Sequence, residues 1–350
     1  MSAKAPPGDR KAASTTQAAT LSTVATTTTN PSPSSAKSNL RPLLLLALAV
    51  SLFAADPPVA PGAKPTLVDS AGAGEGPVWG PQGGLYYSGG NRIQRRNADG
   101  ATTVIRNPSG GSNGLLFDPQ GRLIVCEAAN RRITRTELDG SITVLTDRYE
   151  GQRYNSPNDL TIDSKGRIYF SDPRYGPRYS MEMKVEGVYR IDAPGKVTRI
   201  IAGELERPNG LFVTADDKTL YVADNNNNNP GGARKLYRFR LRPDGTVDPA
   251  SRHLLFDWKT GRGPDGIKLD RKGRLYVAGG LNKPHPPHET ADQFKGGVYV
   301  FSPKGKLLTF LPVPVDEVTN CAFGNADRKT LFITAGGTLW SIPVNTPGLR

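Results

Sequence analysis

The sequence predicts an all-β protein with the six-bladed β-propeller fold. Gly and Pro are plentiful, at 39 and 30 of 350 residues, and helical periodicity is scarce. A unit of four short apolar strands recurs at intervals of about 36 to 56 residues, which is typical of a propeller. In each unit, a side chain with an oxygen donor stands eight residues before the first turn, and these donors are Glu75, Asn113, Asn158, Asn209, Asp265 and Asn320.

Each unit continues in the same order. A second strand such as LIV at 123–125 follows the first turn, then a third such as GVYRI at 187–191 and, after a second turn, a fourth such as TTVI at 102–105. Asp-Gly pairs such as Asp99-Gly100 mark second turns, because Gly readily adopts the backbone conformation of a tight turn. The first turns are expected at Gly83, Gly121, Gly166, Asp217, Gly273 and Arg328.

The ring is expected to close through the N-terminal side of the repeats. The sixth unit ends at Ile342 without a fourth strand, and an unassigned strand, PTLVD at 65–69, precedes the first unit. Pairing the two would complete the last blade and leave no unpaired sheet edge. The sequence therefore predicts a propeller domain over residues 60–350, closed by an N-terminal strand in the last blade.

If the units surround an axis, the six donors point at one place. Glu75 and Asp265 are carboxylates and the other four are amides, a set that suits a hard cation. Oxygen-only ligation favours Ca²⁺ over Zn²⁺, which prefers nitrogen and sulfur, with Zn²⁺, Mn²⁺ and Mg²⁺ kept as alternatives. A single Asn in a turn often caps its own backbone, and that structural role stays open for some of the six.

Long loops between the second and third strands indicate a substrate pocket on the face that carries the donors. They occur in units three to five, at 172–186, 224–234 and 279–296. His285 and His288 lie on the third of these loops and could approach a ligand.

Other polar residues have simpler structural interpretations. His253 falls in an outer strand, where a structural role is expected. Asp172 and Asp224 end second strands, so a turn role is the first interpretation and contact with a ligand or a second ion is the alternative. Five consecutive asparagines at 225–229 are interpreted as a solvated loop.

The N-terminal region does not share the repeat. Residues 1–42 form a Ser-, Thr-, Ala- and Pro-rich tract without apolar periodicity, and we expect this tail to be disordered. The apolar run at 43–55 follows basic residues and ends in small ones, the pattern of a secretory signal. The protein is therefore predicted to be exported, to the periplasm or outside the cell. A buried strand is the alternative, and stable membrane insertion is not expected unless 43–54 is retained as an anchor.

Net charge and cysteine content exclude some classes. The chain carries +13, but +4 of it lies in residues 1–42 and the rest is scattered over turns and outer strands, so nucleic-acid binding is not expected. Cys126 and Cys321 fall in different units, so buried free thiols are predicted and a disulfide is the alternative. The chain has no motif of serine hydrolases, zinc proteases or phosphate-binding loops.

Six segments together resemble the gluconolactonase family, which includes senescence marker protein (regucalcin). They run in the family's order over residues 65–343, and they are EGPVW at 75–79, CEAANRRITR at 126–135, NSPNDLTIDSKGRIYFSDPRYG at 155–176, RPNGLFVTADDKTLYVAD at 207–224, GPDGIKLDRKGRLYVAG at 263–279 and NCAFGNADRKTLFITA at 320–335. The resemblance implies a six-bladed propeller with a divalent metal at the tunnel mouth. One departure is Ser88-Gly89-Gly90, where relatives often carry an Asp.

The resemblance also implies roles for individual residues. Glu75, Asn209 and Asp265 would be metal ligands, and Asn158 would be a ligand or a contact to substrate and water. Asp265 would also act as the catalytic acid/base. Asn113 and Asn155 would join Asn158 in binding substrate.

The function predicted from the sequence is that of a Ca²⁺-dependent lactonase. It would hydrolyse a sugar lactone such as gluconolactone to the aldonic acid, with the small-molecule lactone as its partner. Two alternatives stay open: a metal-dependent hydrolase of aryl esters or phosphotriesters on the same scaffold, and a non-enzymatic propeller that binds carbohydrate or protein.

Overall fold

The computed structural model describes residues 56–349. The predicted disordered tail at 1–42 and the predicted signal region at 43–55 lie outside the described residues. Residues 56–349 contain no helix, and accordingly none that is long and apolar enough to span a membrane.

The chain forms six four-stranded antiparallel sheets over this range, each one blade of a propeller. The first strand, β1 (Thr66–Asp69), belongs to the last blade. Blade one contains β2 (Glu75–Trp79), β3 (Leu85–Gly89), β4 (Arg92–Arg96) and β5 (Thr102–Arg106). Blade two contains β6 (Ser112–Phe117), β7 (Leu123–Glu127), β8 (Arg132–Thr136) and β9 (Ile142–Thr146), and a short hairpin of β10 (Arg148–Tyr149) and β11 (Gln152–Arg153) follows it.

Blades three to five repeat the same order with longer outer strands. Blade three contains β12 (Leu160–Ile162), β13 (Ile168–Asp172), β14 (Gly187–Ala193) and β15 (Lys196–Ala202). Blade four contains β16 (Pro208–Val213), β17 (Thr219–Asn225), β18 (Arg234–Leu241) and β19 (Val247–Asp257). Blade five contains β20 (Pro264–Leu269), β21 (Leu275–Gly279), β22 (Gly297–Phe301) and β23 (Leu307–Pro312).

Blade six joins the two ends of the propeller. Its strands from the C-terminal side are β24 (Val318–Gly324), β25 (Thr330–Ala335) and β26 (Thr338–Pro343). β1 pairs antiparallel with β26, with Thr66 opposite Ser341 and Leu67 opposite Trp340, and is the fourth strand of this sheet. The six-bladed, all-β architecture predicted from the repeats is confirmed.

The turn positions predicted by the eight-residue spacing are those of the structure. All six have positive φ, from 71° to 81° at the four glycines, 57° at Asp217 and 54° at Arg328. Three of the turns are also held by a carboxylate that pairs with an Arg four residues later, in the pairs Asp118–Arg122, Asp163–Arg167 and Asp270–Arg274. Each carboxylate also accepts backbone N–H bonds of the same turn, which fixes the register of the two strands.

The hydrophobic core is divided among the six blade interfaces. Each of six buried clusters draws its residues from two neighbouring blades, so the blades pack face to face around the ring. Cys321 of blade six, for example, packs with Tyr276 of blade five. Cys126 and Cys321 are both buried and free, as predicted.

The first strands of the blades form the inner wall. Each contacts the first strand of the next blade, from β2 through β6, β12, β16, β20 and β24 and back to β2. Because the donor residues stand at the start of these strands, the fold places all six around one end of a central tunnel.

Candidate metal centre

Glycine follows the donor in four blades and lets neighbouring first strands approach closely. At Gly76, a Cβ atom would lie 2.1 Å from the carbonyl oxygen of Asn113, and at Gly210 it would lie 2.1 Å from that of Asp265. No side chain fits at these positions, so only glycine allows neighbouring donors to lie this close together. The four glycines are Gly76, Gly114, Gly210 and Gly266.

Blade three carries an aspartate at the position of these glycines. Asp159 is buried, and its Oδ2 accepts a hydrogen bond from Nδ2 of Asn320 at 3.2 Å. Asn320 belongs to blade six, on the opposite side of the ring, so the Asp159 carboxylate reaches into the tunnel. The same amide nitrogen donates to Oε2 of Glu75 at 3.1 Å, which joins blades six and one. Asp159 is not among the residues predicted from the sequence, although its place in the glycine position of the repeat is a usable signal.

The ring has an excess of negative charge that a divalent cation would neutralise. The ring holds the carboxylates Glu75, Asp159 and Asp265, and the ammonium of Lys268 donates to Oδ1 of Asn320 at 3.3 Å. Burial, followed by the charge of Asp159, raises the pKa of Glu75 to about 7. Burial, followed by the charge of Glu75, raises the pKa of Asp265 well above its usual range. Three carboxylates and one ammonium give a net charge of −2 when all are ionised.

Three side-chain oxygens in the ring are buried without a hydrogen-bond partner among residues 56–349. They are Oδ1 of Asn113, Oδ1 of Asn209 and Oδ1 of Asp265. Leaving a buried acceptor unpaired is costly, and an oxygen-loving cation satisfies several acceptors at once. The residues present therefore fit a hard divalent cation. No group of three or more His, Cys, Asp and Glu side chains in the described range could hold a metal, so amide oxygens would have to contribute.

The Asn158 and Asn155 side chains occupy different places. Asn158 is buried in the ring, and its backbone carbonyl accepts from Gly114 N–H of the neighbouring blade at 2.7 Å. Asn155 lies behind the ring, and its Nδ2 donates to the carbonyls of Asp172 at 3.2 Å and Val185 at 3.0 Å. This amide nitrogen holds the long loop of blade three, and the substrate-binding role of Asn155 stays a prediction.

Two buried aspartates hold the segments that lead into the amide donors. Asp172 accepts the backbone N–H groups of Asn155 at 2.8 Å and Ser156 at 2.7 Å, just before Asn158. Asp224 accepts the N–H groups of residues 206 at 3.1 Å and 207 at 2.7 Å, just before Asn209. Burial raises the pKa of Asp172 to about 7 and that of Asp224 to about 6. Asp172 and Asp224 therefore position donors, which differs from the turn role expected of them, because their carboxylates bind the segments that precede the first strands.

Tyr175 on the long loop of blade three contacts the ring from above. Its hydroxyl oxygen accepts a hydrogen bond from Nδ2 of Asn209 at 2.9 Å, which fixes the orientation of the Asn209 amide. The guanidinium of Arg207 lies 5.1 Å from the centre of the Tyr175 ring. Burial, followed by the charge of Asp265, raises the pKa of Tyr175 well above its usual range. The neutral hydroxyl keeps a proton that it can donate at the tunnel mouth. No periodicity in the sequence marks this residue.

The asparagine run at 225–229 differs in part from its predicted role. The interpretation of residues 225–229 as a solvated loop is wrong for its first half, because Asn225 and Asn226 are buried. Nδ2 of Asn226 donates to Oε2 of Glu206 at 2.7 Å, and that bond draws the run against the blade. Residues 228–231 form the exposed tip.

The three histidines are spread over the surface. His253 is exposed on β19, the outermost strand of blade four. His285 is exposed, and its Nδ1 lies 3.1 Å from Oε2 of Glu289, which makes a two-bond ion pair with Arg262. His288 is half-buried, and its Nδ1 has no hydrogen-bond partner among the described residues.

The opposite end of the tunnel has a different chemistry. Two cavities of about 500 Å³ each lie there, lined by turn residues and apolar side chains that include Ile162. The carboxylate of Asp163 in this region is already paired with Arg167 at 2.6 Å. These cavities offer no set of oxygen ligands comparable to that of the donor ring.

The chain is similar to known proteins over the whole propeller. The model of the SMP-30/Gluconolactonase/LRE-like region matches residues 73–337. A gluconolactonase of Zymomonas mobilis is 31% identical over 304 residues, which cover 78% of this chain and 79% of that protein. A 6-deoxy-6-sulfogluconolactonase of Pseudomonas putida is 28% identical over 299 residues, covering 79% and 92%. The solved structure of a gluconolactonase from Xanthomonas campestris superposes with a TM-score of 0.69 at 32% identity, covering 83% of this chain and 95% of that one.

Proposed function

The chain belongs to the SMP-30/gluconolactonase/LRE-like family, and we propose that it is a lactonase that opens a sugar lactone to the aldonic acid with the help of a divalent cation. Relatives named as lactonases support the reaction class. The observation that carries the proposal is the set of three buried, unpartnered oxygens on Asn113, Asn209 and Asp265 in a ring whose ionised side chains sum to −2. This arrangement binds a cation and leaves donors for a substrate beside it.

The cation would be held by Glu75, Asn158, Asn209 and Asp265. We favour Ca²⁺ because every candidate ligand is an oxygen and half of the four are neutral amides, whereas Zn²⁺ prefers nitrogen or sulfur. When bound, such a cation polarises a carbonyl oxygen and makes a nearby water more acidic. Mn²⁺ and Mg²⁺ also accept oxygen ligands and are distinguished by titration.

The side chains of this protein would orient water and move one proton. Oδ1 of Asp265 faces the ring without a partner, so its carboxylate can take a proton from the attacking water. The water oxygen bonds to the carbonyl carbon, the bond from that carbon to the ring oxygen breaks, and Asp265 returns the proton to the departing ring oxygen. Asn113 and Asn158 would orient the water and the substrate hydroxyls. The Tyr175 hydroxyl would donate a hydrogen bond from the long loop of blade three.

A hydrolysis assay tests this proposal. The full-length protein should open glucono-δ-lactone faster than the spontaneous reaction, lose that activity with a chelator and regain it on addition of Ca²⁺, with Mg²⁺, Mn²⁺ and Zn²⁺ compared in parallel. Activity that survives chelation would exclude the cation. Turnover of aryl esters or phosphotriesters alone, or of nothing, would point instead to the ester hydrolase or to the non-enzymatic binder considered from the sequence.

Export is a separate proposal, supported by the basic flank, apolar run and small-residue exit at 43–55. Cell fractionation with and without residues 1–55 tests it. Equal distribution of the two forms would contradict it, and a full-length form that stays with the membrane would identify the segment as a retained anchor.

A further inference from the structure

Lys268 places an ammonium group on the tunnel wall directly behind the donor ring. It stands on β20, in the same strand as Asp265, and is half-buried. Its Nζ donates to Oδ1 of Asn320 at 3.3 Å, the one protein acceptor that this ammonium has within residues 56–349. The Asn320 amide also donates from Nδ2 to Glu75 at 3.1 Å and to Asp159 at 3.2 Å. One amide therefore separates the ammonium from two ring carboxylates.

The Lys268 side chain also lines a narrow and largely apolar constriction. This space of about 50 Å³ is walled by residues such as Trp79, Leu160 and Phe323, and it shares Ile162 with the two larger cavities at the opposite end of the tunnel. Among the residues that the structure describes, no carboxylate lines it. A charge between apolar groups and a buried carboxylate ring is poorly screened by water, so Lys268 acts strongly on the ring.

The ammonium determines the net charge that a bound ion meets. Glu75, Asp159 and Asp265 contribute three negative charges when ionised, and Lys268 reduces the sum to −2. A divalent cation neutralises this charge, whereas a ring without the ammonium would match a trivalent cation. Because Coulomb energy scales with ion charge, the ammonium repels an ion of charge +3 about one and a half times as strongly as an ion of charge +2.

We propose that Lys268 is a fixed counter-charge that makes the ring select a divalent cation over a trivalent one. The inference rests on the proposed function only for the presence of a cation in the ring, and it assigns no step of the reaction to Lys268. It makes Lys268 a specificity-determining residue for the ion. Lys268 also holds the affinity for a divalent cation below the value that three carboxylates alone would give.

Calorimetric titration of the full-length protein with Ca²⁺ and with Tb³⁺, which also prefers oxygen ligands, tests this proposal. Lys268→Met removes the charge and keeps the length of the side chain, and Oδ1 of Asn320 still accepts from the N–H of Cys321 at 2.9 Å. Ca²⁺ affinity should rise about tenfold and Tb³⁺ affinity about thirtyfold, because the logarithm of the change scales with ion charge. Lys218→Met removes the same charge from an exposed side chain in a turn of blade four, and should change neither affinity.

Thermal unfolding supplies a second measurement in which the two conditions change in opposite directions. In chelator at pH 8, Lys268→Met lacks the charge that offsets the ring carboxylates, so its melting temperature should lie below that of the wild type. Saturation with Tb³⁺ should then raise the melting temperature of the variant more than that of the wild type. A side chain that only filled the tunnel would not produce this reversal.

Three results would overturn the proposal. A fall in affinity for both ions would mean that Lys268 only supports the ring, an equal rise for both would mean that space limits binding, and no change would mean that the ring does not sense the ammonium.

Failure of the proposed function gives a different pattern. A wild-type protein that binds Ca²⁺ but opens no lactone would refute the lactonase alone, since the ion titrations decide the role of Lys268. A wild-type protein that binds neither ion would refute the cation of the proposed function. The role of Lys268 would then be supported if Lys268→Met gains Tb³⁺ binding, and refuted if it does not.

Discussion

Blades one and five hold their donors in a different way from blades three and four. In blades three and four the donors are amides, and the second strand brings a buried carboxylate, Asp172 or Asp224, against the backbone that leads into the donor. In blades one and five the donors are carboxylates, and the second strand ends in glycine, at Gly89 and Gly279. The two designs place negative charge at different distances from the ring.

Close backbone approach replaces the aspartate in blades one and five. A Cβ atom at Gly89 would lie 2.1 Å from the carbonyl oxygen of Gly72, and one at Gly279 would lie 2.8 Å from that of Gly263. These carbonyls belong to the segments that lead into Glu75 and Asp265. The Ser88-Gly89-Gly90 segment is thus part of a glycine-based support. In blades one and five the negative charge therefore lies on the donor side chains in the ring. In blades three and four it lies on the aspartates behind the ring that position the amide donors.

The largest effect is expected at the charged donors themselves. Asp265→Asn at saturating Ca²⁺ should keep substrate binding while kcat for gluconolactone falls by roughly 10² to 10⁴, because proton transfer is lost. Glu75→Gln should instead weaken Ca²⁺ binding and recover activity as Ca²⁺ is raised. The measurement is kcat across a Ca²⁺ series, corrected for spontaneous opening. Full recovery of Asp265→Asn by excess Ca²⁺ would remove Asp265 from the acid/base role.

A smaller effect is expected from the supports behind the donors. Gly279→Ala forces the strand away from the carbonyl of Gly263 and displaces a charged donor, so Ca²⁺ affinity should fall about 10- to 100-fold. Asp224→Asn replaces one acceptor with a donor that faces a backbone N–H, and should cost about 1–3 kcal/mol of stability. Its Ca²⁺ affinity should fall about tenfold, the lower end of the loss expected for Gly279→Ala. Calorimetric titration and thermal unfolding measure both.

The matched control for Gly279→Ala is Gly176→Ala. Nothing lies within 4 Å of a Cβ atom at Gly176 and its φ is not positive, so the change should leave stability and Ca²⁺ affinity close to wild type. If Gly279→Ala and Gly176→Ala behave alike, the glycine-based support is wrong. If Asp224→Asn weakens Ca²⁺ more than Gly279→Ala does, the ranking of the two designs is reversed.

The pH dependence of stability is a third effect that distinguishes the two designs. The raised folded-state pKa values of Glu75 and Asp172 (each about 7, from ordinary values of 4.5 and 3.8) mean that folding favours their protonated forms. Their contribution to stability is fully present below the ordinary values and is lost as the pH rises through about 7. The melting temperature of the chelated protein should therefore fall by several degrees between pH 5 and pH 8.

Ca²⁺ should suppress only the share of this pH dependence that comes from the ring. Glu75→Gln should flatten the curve of the chelated protein, whereas Asp172→Asn should flatten it with and without Ca²⁺, because Asp172 lies behind the ring. Thermal unfolding at fixed ionic strength, of the wild type and both variants with and without Ca²⁺, measures the six curves. A wild-type curve with the same slope with and without Ca²⁺ would contradict the binding of the cation at Glu75.

The supports were harder to predict from the sequence than the donors. Strand length and turn chemistry determine the eight-residue spacing. The six turns, the first at Gly83 and the last at Arg328, and the ring of six donors could therefore be located from the sequence. Tyr175 and the burial of Asn225 and Asn226 depend on how a loop from one blade meets the next, and no local period records that. Asp159 is intermediate: the repeat shows where it stands, but its contact with Asn320 across the tunnel needs the closed ring.

The smallest effect is expected at the two amides that belong to neither design, Asn113 and Asn320. The Asn320 side chain is fully engaged, since Oδ1 accepts from Lys268 at 3.3 Å and from the N–H of Cys321 at 2.9 Å while Nδ2 donates to Glu75 and Asp159. Asn320→Ala should therefore lower stability more than Ca²⁺ affinity. Asn113→Ala removes an unpartnered oxygen, so it should leave stability nearly unchanged and raise KM for gluconolactone. Calorimetry should find Ca²⁺ affinity within about threefold of wild type in both variants, since a neutral amide contributes less than a carboxylate ligand. Losses equal to that of Glu75→Gln at both positions would mean that all six donors share the ion, and the distinction between charged and amide blades would then carry no weight in binding.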